Sequence, residues 1–303
     1  MSNALVILAG ATGDLGGRIA RSLLERGVKL RAIVRRRSAP DKVDELRGLG
    51  ADIAEADFAS IPELARACSG GICVVSALAG LRNVIVDTQT LLLEAALEAG
   101  VPRFIPSDFS IDFTKLPPGT NRNLDLRREF HERLDKTPIA ATSILNGMFT
   151  DLLTGQAPFI LFKFNRVVCW ENADRLMDFT TIDDAAAFTA AAALDPAAPG
   201  ILRIAGDQLS ARGLAEAASE VTGRRFRLLR AGGLGRLNAI IKITRTILPQ
   251  PNELYPPWQG MQYMHNMFSG LTKLEPLDND RYPGVRWTTV RDVLAADRSR
   301  YQR

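Results

Sequence analysis

The chain has 303 residues, 46% of them hydrophobic and 24% charged, which is ordinary globular usage and excludes disordered, collagen-like and disulfide-scaffold proteins. Its 38 basic and 34 acidic residues leave a net charge of +4, and the basic residues are scattered rather than gathered in a stripe, which argues against nucleic-acid binding. The apolar stretches at 4–9 and 185–194 are shorter than the roughly 18 residues of a membrane span. No signal peptide follows Met1, and Cys68, Cys73, Cys169, His131 and His265 lack zinc-ligand spacing. The expectation is a cytoplasmic protein without a metal, of about two domains.

In chain order, residues 4–9 form an apolar run of buried-strand length, and 15–26 carry apolar residues at helical spacing until Gly27 stops them. Residues 30–34 make the next strand, Ser38 is the expected cap of a helix over 41–49, and 51–54 form a third strand. A helix over Ile61–Cys68, a strand over 72–77 and a long helix over 83–99 follow. Then come a strand over 101–106, a helix over 124–134 and a sixth strand over 141–145. This alternation predicts an α/β fold with a doubly wound, mostly parallel sheet.

Beyond Phe149 the rhythm loosens. Residues 159–170 read as β structure with a turn at Asn165, and Asp183 and Asp184 open an alanine-rich helix as capping and dipole-compensating carboxylates. A seventh strand is expected at 201–204, a helix over Ala211–Thr222, a strand at 226–229 and a helix at 234–248. That last helix carries Arg236, Lys242 and Arg245, with Leu237, Ile240, Ile241, Thr244 and Leu248 on one face. It is expected to pack into a core rather than onto a membrane or partner. The predicted division gives residues 1–155 to a dinucleotide-binding domain with 176–206 returning to it. Residues 156–175 and 207–303 then form a smaller α+β lobe for substrate or partner.

The segment Gly10-Ala-Thr-Gly13-Asp-Leu-Gly16 follows the first strand and opens the first helix, the setting of a dinucleotide fingerprint. Gly10 allows the tight turn, Gly13 the approach of a pyrophosphate, and Gly16 close helix packing. Thr12, Asp14 and Leu15 complete the expected phosphate loop at a helix N-terminus. The second strand ends Val34-Arg35-Arg36-Arg37 with no carboxylate, which favours the 2′-phosphate of NADP(H) over NAD(H). Arg35 and Arg36 are the candidate phosphate ligands and Arg37 a solvated turn. Asp57 and Phe58 are expected near the adenine, and Ala77 and Leu78 near the pyrophosphate or nicotinamide ribose.

The GATGDLG loop, the Val34-Arg35 pair, FIPSDF at 104–109, ATSILNGMF at 141–149 and LDNDRYP at 277–283 resemble the NmrA-like and isoflavone reductase-like branch of atypical short-chain dehydrogenases, over nearly the whole chain. The resemblance implies a Rossmann fold and NADP(H). It also implies one of two roles, reduction of small aromatic or phenolic substrates, or cofactor-binding regulation through a protein partner. Asn146 and Phe149, within the 141–149 segment, are candidate substrate contacts.

Relatives with a Tyr-x-x-x-Lys pair use it as proton donor, but the first tyrosine here is Tyr255. The reductase branch places a lysine fifteen residues before the threonine of the following strand, and counting back from Thr142 reaches Arg127, a permanent cation suited to polarising a carbonyl. His131, one helical turn on, is a candidate proton donor. Ser107, at the end of the fifth strand, is a candidate substrate-facing hydroxyl or a turn residue. Between Tyr255 and Phe268 the chain concentrates aromatic and methionine residues, among them Trp258, Tyr263 and His265. This segment reads either as an apolar wall over a flat ligand or as small-lobe core. The leading reading is an NADP(H)-dependent reductase of a small apolar, aromatic or conjugated carbonyl compound, and the alternative is a cofactor-binding sensor without turnover.

Overall fold

The computed structural model describes residues 4–297; residues 1–3 and 298–303, at the outer ends of the two expected lobes, lie outside the described residues. The first part runs β1 (Leu5–Ala9), α1 (Asp14–Glu25), β2 (Lys29–Val34), α2 (Pro40–Gly48), β3 (Asp52–Glu55), α3 (Ile61–Cys68), β4 (Cys73–Ser76), α4 (Gln89–Glu98), β5 (Arg103–Ile105), α5 (Arg122–Leu134) and β6 (Ala140–Ala141). It continues through β7 (Ser143–Leu145), β8 (Met148–Phe149), β9 (Ile160–Leu161), β10 (Arg166–Trp170), β11 (Met177–Thr180), α6 (Ile182–Leu194) and β12 (Ile201–Arg203). Last come β13 (Asp207–Leu209), α7 (Ala211–Thr222), β14 (Arg227–Gly232), α8 (Leu234–Ile247), α9 (Pro257–Ser269) and α10 (Val290–Ala296).

The main sheet is parallel, in the order β3-β2-β1-β4-β5-β6. Strand order reverses between β1 and β4, so a crevice opens beyond their carboxyl ends. Alternate side chains of β1 feed opposite faces: Val6 and Leu8 join α1 and α6 in one apolar cluster, and Ile7 and Ala9 join α3, α4 and α5 in another. A third cluster extends from Ile111 to Leu294 and includes residues of β10, α7, α8 and α9. Among the described residues no helix is long and apolar enough to cross a membrane.

Several local expectations need correction. The predicted sixth strand is two: β6 pairs with β5, whereas β7 pairs with β12, the expected seventh strand. The change of neighbour falls at Thr142, whose N–H still reaches Phe104 O, while the Ser143 N–H goes to Gly200 O. Ser38 caps nothing. Ala39 precedes α2, which starts at Pro40, and the Ser38 hydroxyl accepts the Arg35 N–H instead. The helix expected over 83–99 opens with a π-helical turn, Asn83–Thr88. Its carbonyls take side-chain donors, Thr88 Oγ1 to Asn83 O, Gln89 Nε2 to Ile85 O and Thr90 Oγ1 to Val86 O, which loosens the regular ladder. Thr181, not an aspartate, caps α6. Asp183 pairs with Arg18 and Asp184 accepts from Thr288. On α8, Leu237 and Ile241 are buried as expected, but Ile243 and Ile247 are exposed, as is Leu248, which follows the helix as its C-cap.

Candidate functional site

Two glycines of the loop, Gly10 and Gly16, stand where contacts leave no room for a side chain. Gly10 has φ +85°, and a Cβ there would lie 2.5 Å from Ala77 O. One at Gly16 would lie 2.1 Å from Gly10 O, which is why α1 rests so closely on the end of β1. A Cβ on Gly13 would meet only Gly10 O, at 3.3 Å, so the protein alone does not demand glycine there. No side chain caps α1, which leaves its first-turn N–H groups for an anionic ligand. A dinucleotide fits this chemistry.

Beyond the loop lies a cleft of about 340 Å³, bounded by Gly10, Thr12 and Gly13, by Arg35, Arg37 and Ser38, by Phe58, and by Ala77, Leu78 and Ala79. None of these lining residues is acidic. Arg35 lies over the Phe58 ring, with its guanidinium carbon 5.6 Å from the ring centroid. Arg36 turns away, donating to both Glu63 oxygens at 3.0 Å, and lines a separate groove. Arg37 is exposed, as expected of a solvated turn, and also lines the cleft. Asp57 also folds away: its carboxylate accepts from Ala59 N and its N–H donates to Glu63. Asp14 pairs with Arg18, and Leu15 packs in the core between α1 and α6. A larger hollow of about 970 Å³ lies on the outer flank of α1 and shares Thr12, Gly13 and Asp14 with the loop. Its charged lining includes Arg18 paired to Asp14 and Asp183.

Next to the cleft, Ser107 braces two strand ends. Its hydroxyl donates to Leu78 O at 2.6 Å and its N–H donates to Gln89 Oε1 at 3.0 Å, so the π-helical turn serves to deliver Gln89. Asp108 is fully buried. One of its oxygens accepts from the Ser143 hydroxyl at 2.8 Å and meets His131 Nε2 at 2.6 Å, while the other has no partner among the described residues. Burial disfavours the His131 imidazolium, yet the Asp108 carboxylate outweighs it and the pKa of His131 is raised. Arg127, one turn before His131 on α5, shares no hydrogen bond with it among the described residues. Its Nη1 donates to Asn123 O at 3.0 Å, and its buried Nε has no partner.

The aromatic segment divides. Trp258 is 2% exposed, flanked by Arg122 and Arg245, and donates to Pro249 O; it is core, not a wall over a ligand. His265, whose pKa burial lowers, lies in the field of Glu171, which itself accepts the Leu234 N–H. Tyr263 is half-buried, and burial pushes its phenol up to about 12. Asn146 is fully buried with its Oδ1 unpartnered, while Phe149 is half-buried against the α1 and α6 core. Sequence reading missed Asp108, Asn123, Arg37 and the delivery of Gln89; only the run of three arginines offered a signal, for Arg37.

Pinoresinol reductase 1 of Arabidopsis thaliana is 31% identical over 208 residues, spanning 63% of this chain and 65% of that protein. The structure of AtPrR2 with NADP+ and (+)pinoresinol superposes with a TM-score of 0.82 at 24% identity, covering 98% of this chain and 99% of the other. That of an NADPH-dependent quinone oxidoreductase from Escherichia coli, complexed with NADPH, gives 0.76 at 19% identity over 98% and 100%. Both share the Rossmann arrangement. The profile of the NmrA-like family matches residues 2–279, and the chain belongs to that family.

Proposed function

We propose that the protein is an NADP(H)-dependent reductase of a small apolar or aromatic compound bearing a carbonyl or conjugated acceptor. One observation carries this reading: the cleft at the β1–β4 switch point joins a glycine loop and an uncapped helix start to Arg35, Arg37 and Ser38, with no acidic lining residue. Arg35 and Arg37 would hold the 2′-phosphate, the first turn of α1 the pyrophosphate, and the Ala77–Ala79 backbone the far ribose. When bound, the nicotinamide supplies hydride to the substrate. Pinoresinol for one relative and quinones for another support an oxygenated aromatic or conjugated substrate. We assign residues 156–175 and 207–297 to the substrate lobe, and Ser107, Asn146 and Phe149 to the region next to the nicotinamide. We place the protein in the cytoplasm, where its three free cysteines need no pairing.

The test is NADPH oxidation, followed optically, with a panel of quinones, enones, aromatic ketones and lignan-type phenols. Turnover well above background with any class is expected. Micromolar NADPH binding with no turnover across the panel would overturn the reductase and assign the chain to cofactor sensing.

A further inference from the structure

From Val221 to Asn252 the chain carries seven basic residues and no acidic one, although the whole molecule has a net charge of only +4. This stretch forms β14 and α8. Among the described residues its exposed Arg225, Arg227, Arg236, Lys242 and Arg245 are in no salt bridge, whereas the neighbouring Arg212 and Arg291 are neutralised by Asp174 and Glu220. The same stretch and the turn after it hold Leu229, Ile243, Ile247, Leu248 and Tyr255, five of the eight large apolar side chains that stand exposed among the described residues. Cations and apolar groups are arranged together. Leu237 and Ile241 bury one side of α8, while Arg236, Ile243 and Ile247 recur at helical spacing along another, an exposed ridge with a cation at its head. On β14, Arg227 and Leu229 share a face. Leu229 is in register with Val168 of β10, and Trp170, two residues on, donates to Met264 of α9. Leu229 therefore emerges on the side where α9 lies, with α8 packed against it. Nearby acids do not cancel the charge: α9 has none, Glu171 is engaged by the Leu234 N–H at the start of α8, and Glu253 follows the helix.

We propose that this surface docks the protein on an anionic lipid bilayer, with the Ile243 and Ile247 ridge at the acyl-chain boundary and the surrounding arginines and lysine among the headgroups. Charge and apolar area together select this occupant. A second copy of the chain would set two positive patches against each other, at a cost in repulsion. A nucleic acid would match the charge but would turn its phosphates toward the isoleucines, which offer them no contact. A bilayer satisfies both features, because it presents anionic headgroups directly over hydrocarbon. Neither feature suffices alone: two isoleucines bury little area, and each cation near an anionic surface strengthens association only about fivefold. The inference is independent of the reductase reading, since the cofactor cleft is built from the ends of β1, β2 and β4 and none of these residues lines it.

Flotation of the full chain with vesicles tests the proposal. Phosphatidylcholine vesicles containing about one third phosphatidylserine should carry the protein at physiological salt, and phosphatidylcholine alone should not. Raising the salt to about 0.5 M should release most of it. Ile243→Ser with Ile247→Ser, and separately Arg236→Glu with Lys242→Glu, should each weaken binding about tenfold or more. Melting temperature and NADPH affinity should stay at wild-type values, because all four side chains are exposed. Arg47→Glu with Lys136→Glu makes the same change of net charge at exposed positions of the cofactor domain, and should leave vesicle binding within about threefold. A bimane label at Ile247→Cys, the native cysteines being buried, should shift to the blue on the anionic vesicles. No binding to those vesicles overturns the proposal. So does an equal loss in the Arg47 and Lys136 pair, which would make overall charge responsible. Unchanged binding in the isoleucine pair also overturns it, because charge alone would then be read, as an acidic protein would read it. A dimer in sedimentation that the isoleucine pair abolishes, with no vesicle binding, would assign the surface to a second copy instead.

Discussion

The three consecutive arginines after β2 do different work although their sequence context is the same. Arg35 and Arg37 line the cleft and Arg36 is held by Glu63. A charge-assisted hydrogen bond to phosphate contributes about 1.5–3 kcal/mol, so Arg35→Ala and Arg37→Ala should each weaken NADPH about 10- to 100-fold and leave NADH nearly unchanged. Arg36→Ala should leave both affinities within about twofold. Calorimetry with the two cofactors checks the pattern, and an NADPH loss confined to Arg36→Ala would reverse the assignment. His131 offers a second test at this scale. Its pKa is raised in the folded state, because the adjoining Asp108 outweighs burial. Folding therefore takes up a proton: the stabilisation is complete below the unfolded value near 6.5 and is lost as pH rises through the folded value. His131→Asn should melt below wild type by the widest margin near pH 6, with the gap narrowing toward pH 9. A gap independent of pH would mean that Asp108 holds a neutral imidazole.

At the scale of elements, the glycine loop separates what folding needs from what binding needs. A methyl at Gly16 would collide with the Gly10 carbonyl, so Gly16→Ala should cost about 1–3 kcal/mol of stability as α1 is pushed off β1. At Gly13 the same methyl needs only a shift of a few tenths of an ångström, so Gly13→Ala should cost about 1 kcal/mol or less. It should still lose at least about tenfold in NADPH affinity, because it fills the approach to the pyrophosphate. Thermal melts and calorimetry on the two variants check this, and equal losses of stability would reject it. The loop, β1 to β5 and their helices were legible in the sequence because burial on both sheet faces writes continuous apolar runs separated by glycines and polar turns. The short strands β8, β11 and β13 were not, since pieces of two to four residues such as Asp207–Leu209 show no period and exist only through distant partners. The aromatic segment stayed open between two readings for a related reason. Composition concentrates Trp258, Tyr263 and His265 in one stretch, but a helix distributes them over different neighbours, and Trp258 ends between two arginines.

Across the whole molecule, the parts are tied by polar groups far apart in sequence. The late LDNDRYP segment, whose role was invisible from spacing, binds beside β12: Asp278 accepts the Arg203 N–H, and the Asn279 amide exchanges hydrogen bonds with Ala205. Tyr282 and Trp287 then pack on Phe188 of α6. The seam at Asn121 is the corresponding tie between α5 and α9. This residue is fully buried, caps α5 through its Oδ1, and joins Gln259 and Asn266. Asn121→Ala removes a helix cap worth about 0.5–2 kcal/mol and strands buried polar partners at about 1–3 kcal/mol each. Because these costs share one site and do not add in full, a loss of about 3 kcal/mol is expected. The cofactor cleft is built from the ends of β1, β2 and β4 and none of these groups lines it, so NADPH affinity should stay within about twofold while α9 loosens. Amide exchange should show the α9 amides losing protection first, with β1 and β4 retaining theirs. If β1 and α9 lose protection together, the seam belongs to a single cooperative unit, and the division into a cofactor body and a substrate lobe fails as a description of how this chain holds together.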